Sequence, residues 1–367
     1  MPEARRFDTI AAIARQEWNR CFPSELEDYD YYLAVERSHI AGFSYAYYTV
    51  MEGETLLAAI PAFFTAYDLA TTADGWVKKI LLSIQRIFPS LLTLKLACLG
   101  SFATETCAIA MHPSCDEARK RELFAQLLAF FEEDTKARGI HLLALKDINA
   151  ANKHLFADPI ATHGFHGVPG MPTAISRIDF KSIDAYLASL SGATRKDMRR
   201  KLRKQNEVRV EYRRNIDDII DEIYAMYVET KGRSDLQFEE LTPDYFREVL
   251  SLGGGLCALY YAGDTPIGAN LMLVNEERLL DKFFCMRTQS GQDYNLYFVS
   301  WFSNLQFCLD KDLKIYQSGQ AGYETKLRLG SALLENWMYF RHRNRMLDRL
   351  LKLASPLLVF DVPNHSA

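Results

Sequence analysis

A short segment near the C-terminal end of the sequence combines residue types that can carry out acid–base chemistry. A predicted strand ends at Gln317, and the segment Gly319–Lys326 follows it with two glycines that free the backbone. Within this segment Tyr323 can donate a proton, Glu324 can accept one, and Lys326 can pair with a phosphate or a carboxylate. Transfer of an acyl group to an amine needs such a base and such donors for the oxyanion. The alternative is a surface turn with an exposed lysine.

Two further polar side chains lie inside predicted apolar strands. Strand alternation places Asp281 with Phe283 on one face, and Lys282 with Phe284 on the other. A buried carboxylate at position 281 would have a raised pKa and could act as a base, whereas an edge strand would leave it solvated. Asn270 lies in the middle of another strand and is a candidate for binding an acyl carbonyl, unless it is a satisfied core amide.

A strongly basic run follows in the same half of the chain. Ten lysines and arginines lie between Arg195 and Arg214, against three acidic residues. Arg199 and Arg200 are its central pair. The run predicts a surface that faces the phosphates of CoA, of tRNA or of an anionic lipid-linked substrate. A solvated helix face is the alternative of equal weight.

A group of aromatic and amide residues comes before a predicted helix over 297–309. Asn295 and Tyr297 can contact a pantetheine-like donor arm or a substrate. The alternative is an asparagine helix cap with aromatic packing around it.

The composition limits the classes of protein to be considered. The chain has 367 residues, 49% of them apolar and 25% charged, which predicts a soluble globular protein of about two domains. The net charge of −4 gives no global sign of nucleic-acid binding. Seven cysteines without a CxxC spacing favour reduced thiols and a cytoplasmic location. His163 and His166 lie close together without ligand partners nearby, so no metal site is expected.

No segment of the sequence has the pattern of a signal peptide or of a membrane-spanning helix. The longest apolar stretch, Ile80–Leu99, is interrupted by charged and polar residues and by Pro89. The basic and apolar stretch Val77–Leu94 is interpreted as a partly buried helix followed by a strand, with peripheral contact to a membrane surface as the alternative.

The periodicity of apolar residues predicts the same order of elements twice: two helices, a hairpin, a strand, a helix and a strand. In the first half these cover residues 7–21, 26–37, 45–64, 93–99, 117–138 and 140–145, with an extra strand at 106–111. In the second half they cover residues 217–231, 243–252, 256–274, 279–286, 297–309 and 313–317. A Gly- and Pro-rich connector, Thr162–Pro172, separates the halves, and Tyr339–Ala354 is predicted as a C-terminal basic helix.

Three stretches resemble the FemAB-like branch of the GNAT acyltransferase superfamily. Tyr186–Lys204 resembles the arginine-rich helix of that branch, and Ile267–Met272 resembles the strand that lines its acyl pocket. Tyr316–Gly330 resembles its C-terminal strand–glycine–tyrosine–lysine element. The likeness extends from about Phe7 to Ala354.

The resemblance implies an α/β fold of two tandem GNAT-like lobes, each a mixed sheet flanked by helices. The lobes are expected at 1–165, structural or acceptor-binding, and at 166–367, catalytic and donor-binding. The implied activity is acyl transfer from acyl-CoA, acetyl or longer, to a small-molecule or peptide amine. The alternatives are an aminoacyl-tRNA-dependent transferase and a non-catalytic binding protein on a degraded fold. The expected catalytic residues are Lys326, Tyr323, Glu324 and Asp281. The expected binding residues are Asn270, Tyr297, Asn295, Gly319, Gln317, Arg199 and Arg200.

The sequence departs from the superfamily pattern at the donor phosphates. Neither His112–Arg121 nor Arg287–Tyr297 has the glycine-rich loop that holds the CoA pyrophosphate at a helix N-terminus. Thr325 also stands where some relatives have a histidine beside the lysine. The missing loop leaves the donor open between CoA and charged tRNA, and Thr325 leaves the general base open.

Overall fold

The computed structural model describes residues 2–23, 25–68, 93–233 and 238–355. The strands are β1 Glu3–Phe7, β2 Phe43–Glu52, β3 Thr55–Asp68, β4 Thr93–Leu99, β5 Ala110–Met111, β6 Leu142–Asn149, β7 His166–Pro169, β8 Thr173–Arg177, β9 Val208–Arg213, β10 Gly255–Ala262, β11 Thr265–Val274, β12 Arg278–Met286, β13 Ile315–Gly319, β14 Ala332–Leu334 and β15 Asn336–His342.

The helices in these ranges are α1 Arg15–Cys21, α2 Tyr29–Arg37, α3 Glu117–Ala137, α4 Ala150–Leu155, α5 Ala157–Thr162, α6 Ile183–Ser189, α7 Gly192–Lys201, α8 Ile220–Lys231, α9 Pro243–Ser251, α10 Thr288–Asp293, α11 Leu296–Asp310, α12 Tyr323–Arg328 and α13 Arg345–Ala354. Short 3-10 turns lie at Ile10–Ala12 and Leu202–Glu207.

The strands form two mixed sheets, as expected from the sequence. The first has the order β1-β2-β3-β4-β6-β15-β7, with β5 paired to β3. The second has the order β14-β8-β13-β12-β11-β10-β9. Each contains one parallel pair, β4 with β6 and β12 with β13, and antiparallel pairs elsewhere. The architecture of two α/β lobes is therefore confirmed.

The last strand among the described residues, β15, belongs to the first sheet. β15 lies between β6 and β7, with Phe340 opposite Ala144 and Met338 opposite Val168. Residues 336–342 were predicted in part as helix, and that prediction is wrong from Tyr339 to His342; the helix begins only at Arg345. The pairing of both edges of β15 overrides the local helical pattern, because tertiary pairing outweighs propensity.

Three other predicted elements differ near their ends. The helix predicted over 7–21 is a strand, a 3-10 turn and a shorter helix, because residues 3–7 pair with β2. The strand predicted over 106–111 is confined to Ala110–Met111, opposite Ala58 and Ala59. The strand predicted over 313–317 begins at Ile315 and continues to Gly319. Residues 77–92 of the proposed membrane-contact stretch lie outside the described residues.

The two lobes share one apolar core. One cluster of buried side chains combines Tyr31 and Phe63 of the first lobe with Tyr227, Tyr245 and Val249 of the second. The hydroxyls of Tyr31 and Tyr245 are 3.0 Å apart and hydrogen bonded. Because apolar side chains of both lobes are removed from water together, the lobes form a single packed unit. None of the described helices combines the length and the apolar character needed to cross a bilayer.

We predict that residues 1–165 do not fold when expressed alone. That fragment lacks β15 and β7, so the buried strand β6 becomes an exposed apolar edge that pairs with other chains. The measurement is thermal unfolding by circular dichroism, with the full 367-residue chain as control. A cooperative transition in the soluble fragment would contradict the prediction and support independent lobes divided at residue 165.

Candidate active site

A β-bulge in β12 determines which side chains face the candidate site. Opposite β11, Leu271 pairs with Phe283 and the next residue, Met272, pairs with Asp281, so Lys282 is an extra residue. Phe283 therefore packs on the Lys282 side against the Tyr227 ring. The predicted alternation, with Asp281 and Phe283 on one face, is wrong, because a bulge shifts every later side chain by one position.

Phe284 lies on the same side of the sheet as Asp281. Its ring packs against Tyr260 and Tyr297. The rings of Trp301 and Tyr316 also pack together on this side. Aromatic side chains therefore surround the Asp281 carboxylate on this side of the sheet.

Asp281 lies where the two parallel strands of the second sheet separate. The register of β12 with β13 extends only to Leu280 opposite Gln317, although β12 continues to Met286. The Asp281 Oδ2 atom accepts hydrogen bonds from Tyr316 Oη at 3.0 Å and from Asn270 Nδ2 at 3.3 Å. The predicted site residues Asn270 and Asp281 are thus brought together.

The electrostatic environment of Asp281 suits a proton acceptor. Burial raises the pKa of the carboxyl to about 6, although Lys326, Asn270 and Tyr316 favour the charged form. The residue as a whole has intermediate exposure, and its carboxylate is held by Tyr316 and Asn270. Because its pKa is about 6, the carboxyl group is mostly ionised at neutral pH. For the same reason it is a stronger base than a solvent-exposed carboxylate.

Lys326 is buried, not exposed as in a surface turn. Its ammonium donates to the carbonyl oxygens of Ser318 at 2.5 Å and Gly319 at 2.9 Å, at the end of β13. Burial lowers the pKa of this amine, whereas the carboxylates of Glu105 and Asp281 raise it. The side chain fixes the end of β13 and provides positive charge near Asp281.

Glu105 of the first lobe completes the arrangement and was not recognised in the sequence. Its Oε2 atom accepts from Gln317 Nε2 at 2.8 Å. Gly319 has φ +85°, and a Cβ there would lie 2.7 Å from Glu105 Oε1. Gly319 therefore permits the close approach of the two lobes. Since Glu105 lies in an irregular loop between β4 and β5, no periodic pattern marks it.

A second bridge between the lobes starts from the bulge. Lys282 forms an ion pair with Glu27 and donates to the Ala103 carbonyl oxygen at 2.8 Å. Its ammonium also lies 4.7 Å from the centre of the Tyr31 ring. The extra residue of β12 is thus held by the first lobe, while its neighbour Asp281 faces the candidate site.

Tyr297 lies in the first turn of α11. Its hydroxyl is buried and has no hydrogen-bond partner among the residues that the structure describes. A Cβ at Gly322 would lie 3.9 Å from this oxygen. Burial and the nearby Asp281 raise the pKa of Tyr297, so its proton stays bound. Asn295 occupies the cap position in a left-handed conformation, φ +51°, but its side chain makes no cap hydrogen bond.

Four predicted site residues point elsewhere. The Tyr323 hydroxyl donates to the Pro172 carbonyl oxygen at 2.9 Å, which ties α12 to the connector. Glu324 is exposed. Arg199 and Arg200 are exposed on α7, where a shallow cavity of about 320 Å³ is lined by Gly192, Arg195, Lys196, Arg199, Arg200 and Arg203.

The basic surface of α7 continues toward the start of α11. The Lys201 ammonium lies 3.7 Å from the centre of the Phe298 ring, and that of Lys204 lies 5.4 Å from the centre of the Tyr294 ring. Such cation–π contacts hold the lysines at this junction. The basic surface and Tyr297 therefore belong to one region of the second lobe.

The short helix α10 lies in the stretch Arg287–Tyr297, in which the sequence lacks the glycine-rich loop implied by the resemblance. In α10 the Gly291 amide donates to the Arg287 carbonyl oxygen at 2.8 Å, and the Tyr294 amide donates to Ser290 at 3.1 Å. A Cβ at Gly291 would lie 2.4 Å from Met286 Sδ, so this glycine serves packing. These two amides are used within the helix. Across the described ranges, no group of three His, Cys, Asp or Glu residues is arranged to hold a metal ion.

A family model described as peptidoglycan biosynthesis/recognition, FemAB-like, matches residues 9–353. The chain belongs to the FemAB-like family. The resemblance noted in the sequence is thereby confirmed.

Solved structures with the same fold cover most of the chain. FemX has a TM-score of 0.60 at 12% identity, covering 95% of this chain and 100% of its own. The L-PGS of Bacillus licheniformis has a TM-score of 0.52 at 12% identity, covering 83% and 87%. A tandem GNAT protein from the clavulanic acid biosynthesis pathway has a TM-score of 0.52 at 10% identity, covering 93% and 98%. At these identities the likeness is one of fold.

Two curated relatives carry the name "Putative 8-amino-7-oxononanoate synthase 2", from two strains of Mycobacterium tuberculosis. Each is 24% identical over 328 residues, which cover 86% of this chain and 42% of the relative. The chain therefore spans less than half the length of these relatives.

We predict that Gly319→Ala lowers the free energy of unfolding by about 2 kcal/mol, because it combines a left-handed backbone with displacement of the Glu105 carboxylate from its hydrogen bond with Gln317. Gly322→Ala is the matched control: its φ is +65°, but its nearest contact is at 3.9 Å, so a cost of about 1 kcal/mol is expected. Urea unfolding measures both. Equal costs for the two variants would show that the approach of Glu105 carries no strain.

We predict that Asp281→Asn stabilises the fold at pH 8 and not under acid conditions. Because the folded pKa of Asp281, about 6, exceeds the unfolded value of 3.8, burial of the charge costs stability above pH 6, and the cost disappears as the pH falls toward 4. The gain in unfolding free energy at pH 8 is about 1–3 kcal/mol.

Urea unfolding at pH 8 and pH 4 provides the measurement. Asp264→Asn, at an exposed hairpin turn, is the control and is expected to change the unfolding free energy by less than about 0.5 kcal/mol. If Asp281→Asn destabilised the chain equally at both pH values, the carboxylate would be a structural hydrogen-bond acceptor and not a buried base.

Proposed function

We propose that this chain transfers an acyl group from an acyl-CoA to an amine acceptor, with Asp281 as the general base. One observation carries the proposal: a carboxylate with a pKa of about 6 lies where β12 and β13 separate. The gap between separating parallel strands offers free backbone groups to an extended thioester arm. A donor bound there would present its carbonyl beside Asp281.

In the proposed reaction the acceptor arrives as an ammonium ion and gives one proton to the Asp281 carboxylate. The amine nitrogen then attacks the thioester carbonyl, and a C–N bond forms. Collapse of the tetrahedral intermediate breaks the C–S bond, and the thiolate leaves with the second proton from nitrogen. Asp281 then releases its proton to bulk water. The products are an amide, free CoA and one proton.

Three other side chains have roles in this proposal. The Tyr297 hydroxyl, buried and without a protein partner among the described residues, is the proposed donor to the oxyanion. Lys326 is a positioning residue, because its bonds to the carbonyls of Ser318 and Gly319 hold the end of β13. Glu105, partly exposed at the junction of the lobes, marks the side from which a cationic acceptor would approach.

An aminoacyl-tRNA donor is the second candidate, and two observations favour it. The amides of Gly291 and Tyr294 in α10 are used within the helix and cannot hold a pyrophosphate. The exposed cations of α7 instead form a broad surface suited to a nucleic-acid backbone. The chemistry at Asp281 is the same, with an ester oxygen as the leaving group instead of sulfur.

We predict that Asp281→Asn lowers kcat by about 10²–10⁴-fold with little change in KM, because it removes the proton acceptor and leaves the binding surfaces intact. In the wild type, kcat should fall tenfold per pH unit below about pH 6, as the carboxylate is protonated. The assay measures free thiol released from acetyl-CoA and longer acyl-CoAs with a panel of mono- and diamines. Asp264→Asn is the control.

The same preparation decides between the donors. Acyl-CoA should raise the melting temperature of the wild type, by an amount that grows with ligand concentration. If no acyl-CoA does so but charged tRNA binds with a steep salt dependence that Arg199→Gln/Arg200→Gln weakens, the donor is tRNA. Full activity in Asp281→Asn would contradict the proposed role of Asp281 as the base. Binding of neither donor would contradict the transferase and favour a binding protein.

A further inference from the structure

The C-terminal helix α13 exposes an apolar stripe. Met346, Leu350 and Leu353 follow one another at helical spacing, and their side chains are 69%, 52% and 77% exposed. With Leu347, this ten-residue helix holds four of the seven large apolar side chains that are exposed in the described part of the chain. Exposure of this kind is concentrated and not scattered, which marks an interaction surface.

Positive charge lies directly beside the stripe. Arg345, Arg349 and Lys352 are exposed on the neighbouring face of the helix. The single acidic residue, Asp348, faces the protein: its carboxylate accepts from the His342 amide at 2.7 Å and lies 2.9 Å from His166 Nε2. The outward surface of α13 therefore combines apolar side chains and cations without a carboxylate of the helix, although the whole chain has a net charge of −4.

The helix is held firmly in this orientation. The Asn344 side chain caps its first turn by accepting from the amides of Met346 and Leu347. Leu351 packs into the core cluster that both lobes share. Because Asp348 and Leu351 attach the inner face, the apolar stripe stands outward on a single convex helix.

We propose that α13 binds the surface of an anionic lipid bilayer and lies in the plane of its headgroups. An amphipathic helix with leucines on one face and basic residues beside them binds this boundary through apolar burial and attraction to anionic lipids. Charge and shape favour a lipid bilayer over a protein. A second copy of this chain would bring two sets of cations together, and a convex helix offers no groove to a protein partner. The lipid headgroups supply the negative charge that this surface lacks.

The test is flotation of the full chain with vesicles of phosphatidylcholine, with and without about one-third phosphatidylglycerol. The wild type should float with the anionic vesicles and should dissociate from them at high salt. Leu350→Glu/Leu353→Glu should lower the bound fraction at least about tenfold, because it places charge where apolar contact is needed. Arg345→Gln/Arg349→Gln should weaken binding to the anionic vesicles only.

Leu334→Glu is the matched control, since Leu334 is a 50% exposed leucine on β14 of the other sheet and should leave binding unchanged. Circular dichroism confirms that each variant is folded. The proposal is overturned if the wild type binds neither kind of vesicle. It is also overturned if Leu350→Glu/Leu353→Glu binds the anionic vesicles as well as Leu334→Glu does. It is also overturned if light scattering shows a wild-type dimer that the double variant dissolves, because α13 is then a self-association surface.

Discussion

The extra residue in β12 is the constraint on which the candidate site depends. With Lys282 as the extra residue, Asp281 faces the second lobe's own core, while Lys282 and Phe283 share the opposite side of the sheet, where Phe283 packs against Tyr227. A regular strand would place Phe283 beside Asp281 and Phe284 on the side of Lys282. The bulge thus places Phe284, which packs against Tyr297, on the same side as the carboxylate.

Joining the lobes determines the electrostatics of the site. Lys282 meets Glu27, and Lys326 lies between Glu105 and Asp281, so each buried ammonium has carboxylates from its surroundings. Buried charges require such partners, since desolvation of an isolated charge is costly. The carboxylate of Asp281 is compensated only in part, and its pKa is raised for that reason. The pairing of buried charges at the interface between the lobes therefore leaves the Asp281 carboxyl able to exchange a proton.

The path of the chain makes this arrangement cooperative. β15, near the end of the described residues, completes the first sheet, and α13 follows it on the surface. The helix that carries Lys326 lies shortly before β15 in the sequence. Along the chain, the second lobe therefore lies between two segments that belong to the first. In our proposals, β15 completes the first sheet and α13 after it binds a lipid surface. The transfer chemistry belongs to the second sheet.

The sequence by itself determined the two α/β halves, both hairpins, the helices around Leu127 and Val299, and the family, because these follow from local periodicity and from motifs that are continuous in the chain. It also indicated Asp281 and Asn270 as polar residues inside apolar strands, and Lys326 in the glycine-containing segment after a strand. It could not indicate Glu105, whose importance comes from a contact with Gly319 across more than two hundred positions. The direction of Phe283, the strand at Tyr339 and the burial of Lys326 were decided only by tertiary structure. Each depends on which strand lies opposite, and pairing between distant segments leaves no periodic trace in the residues themselves.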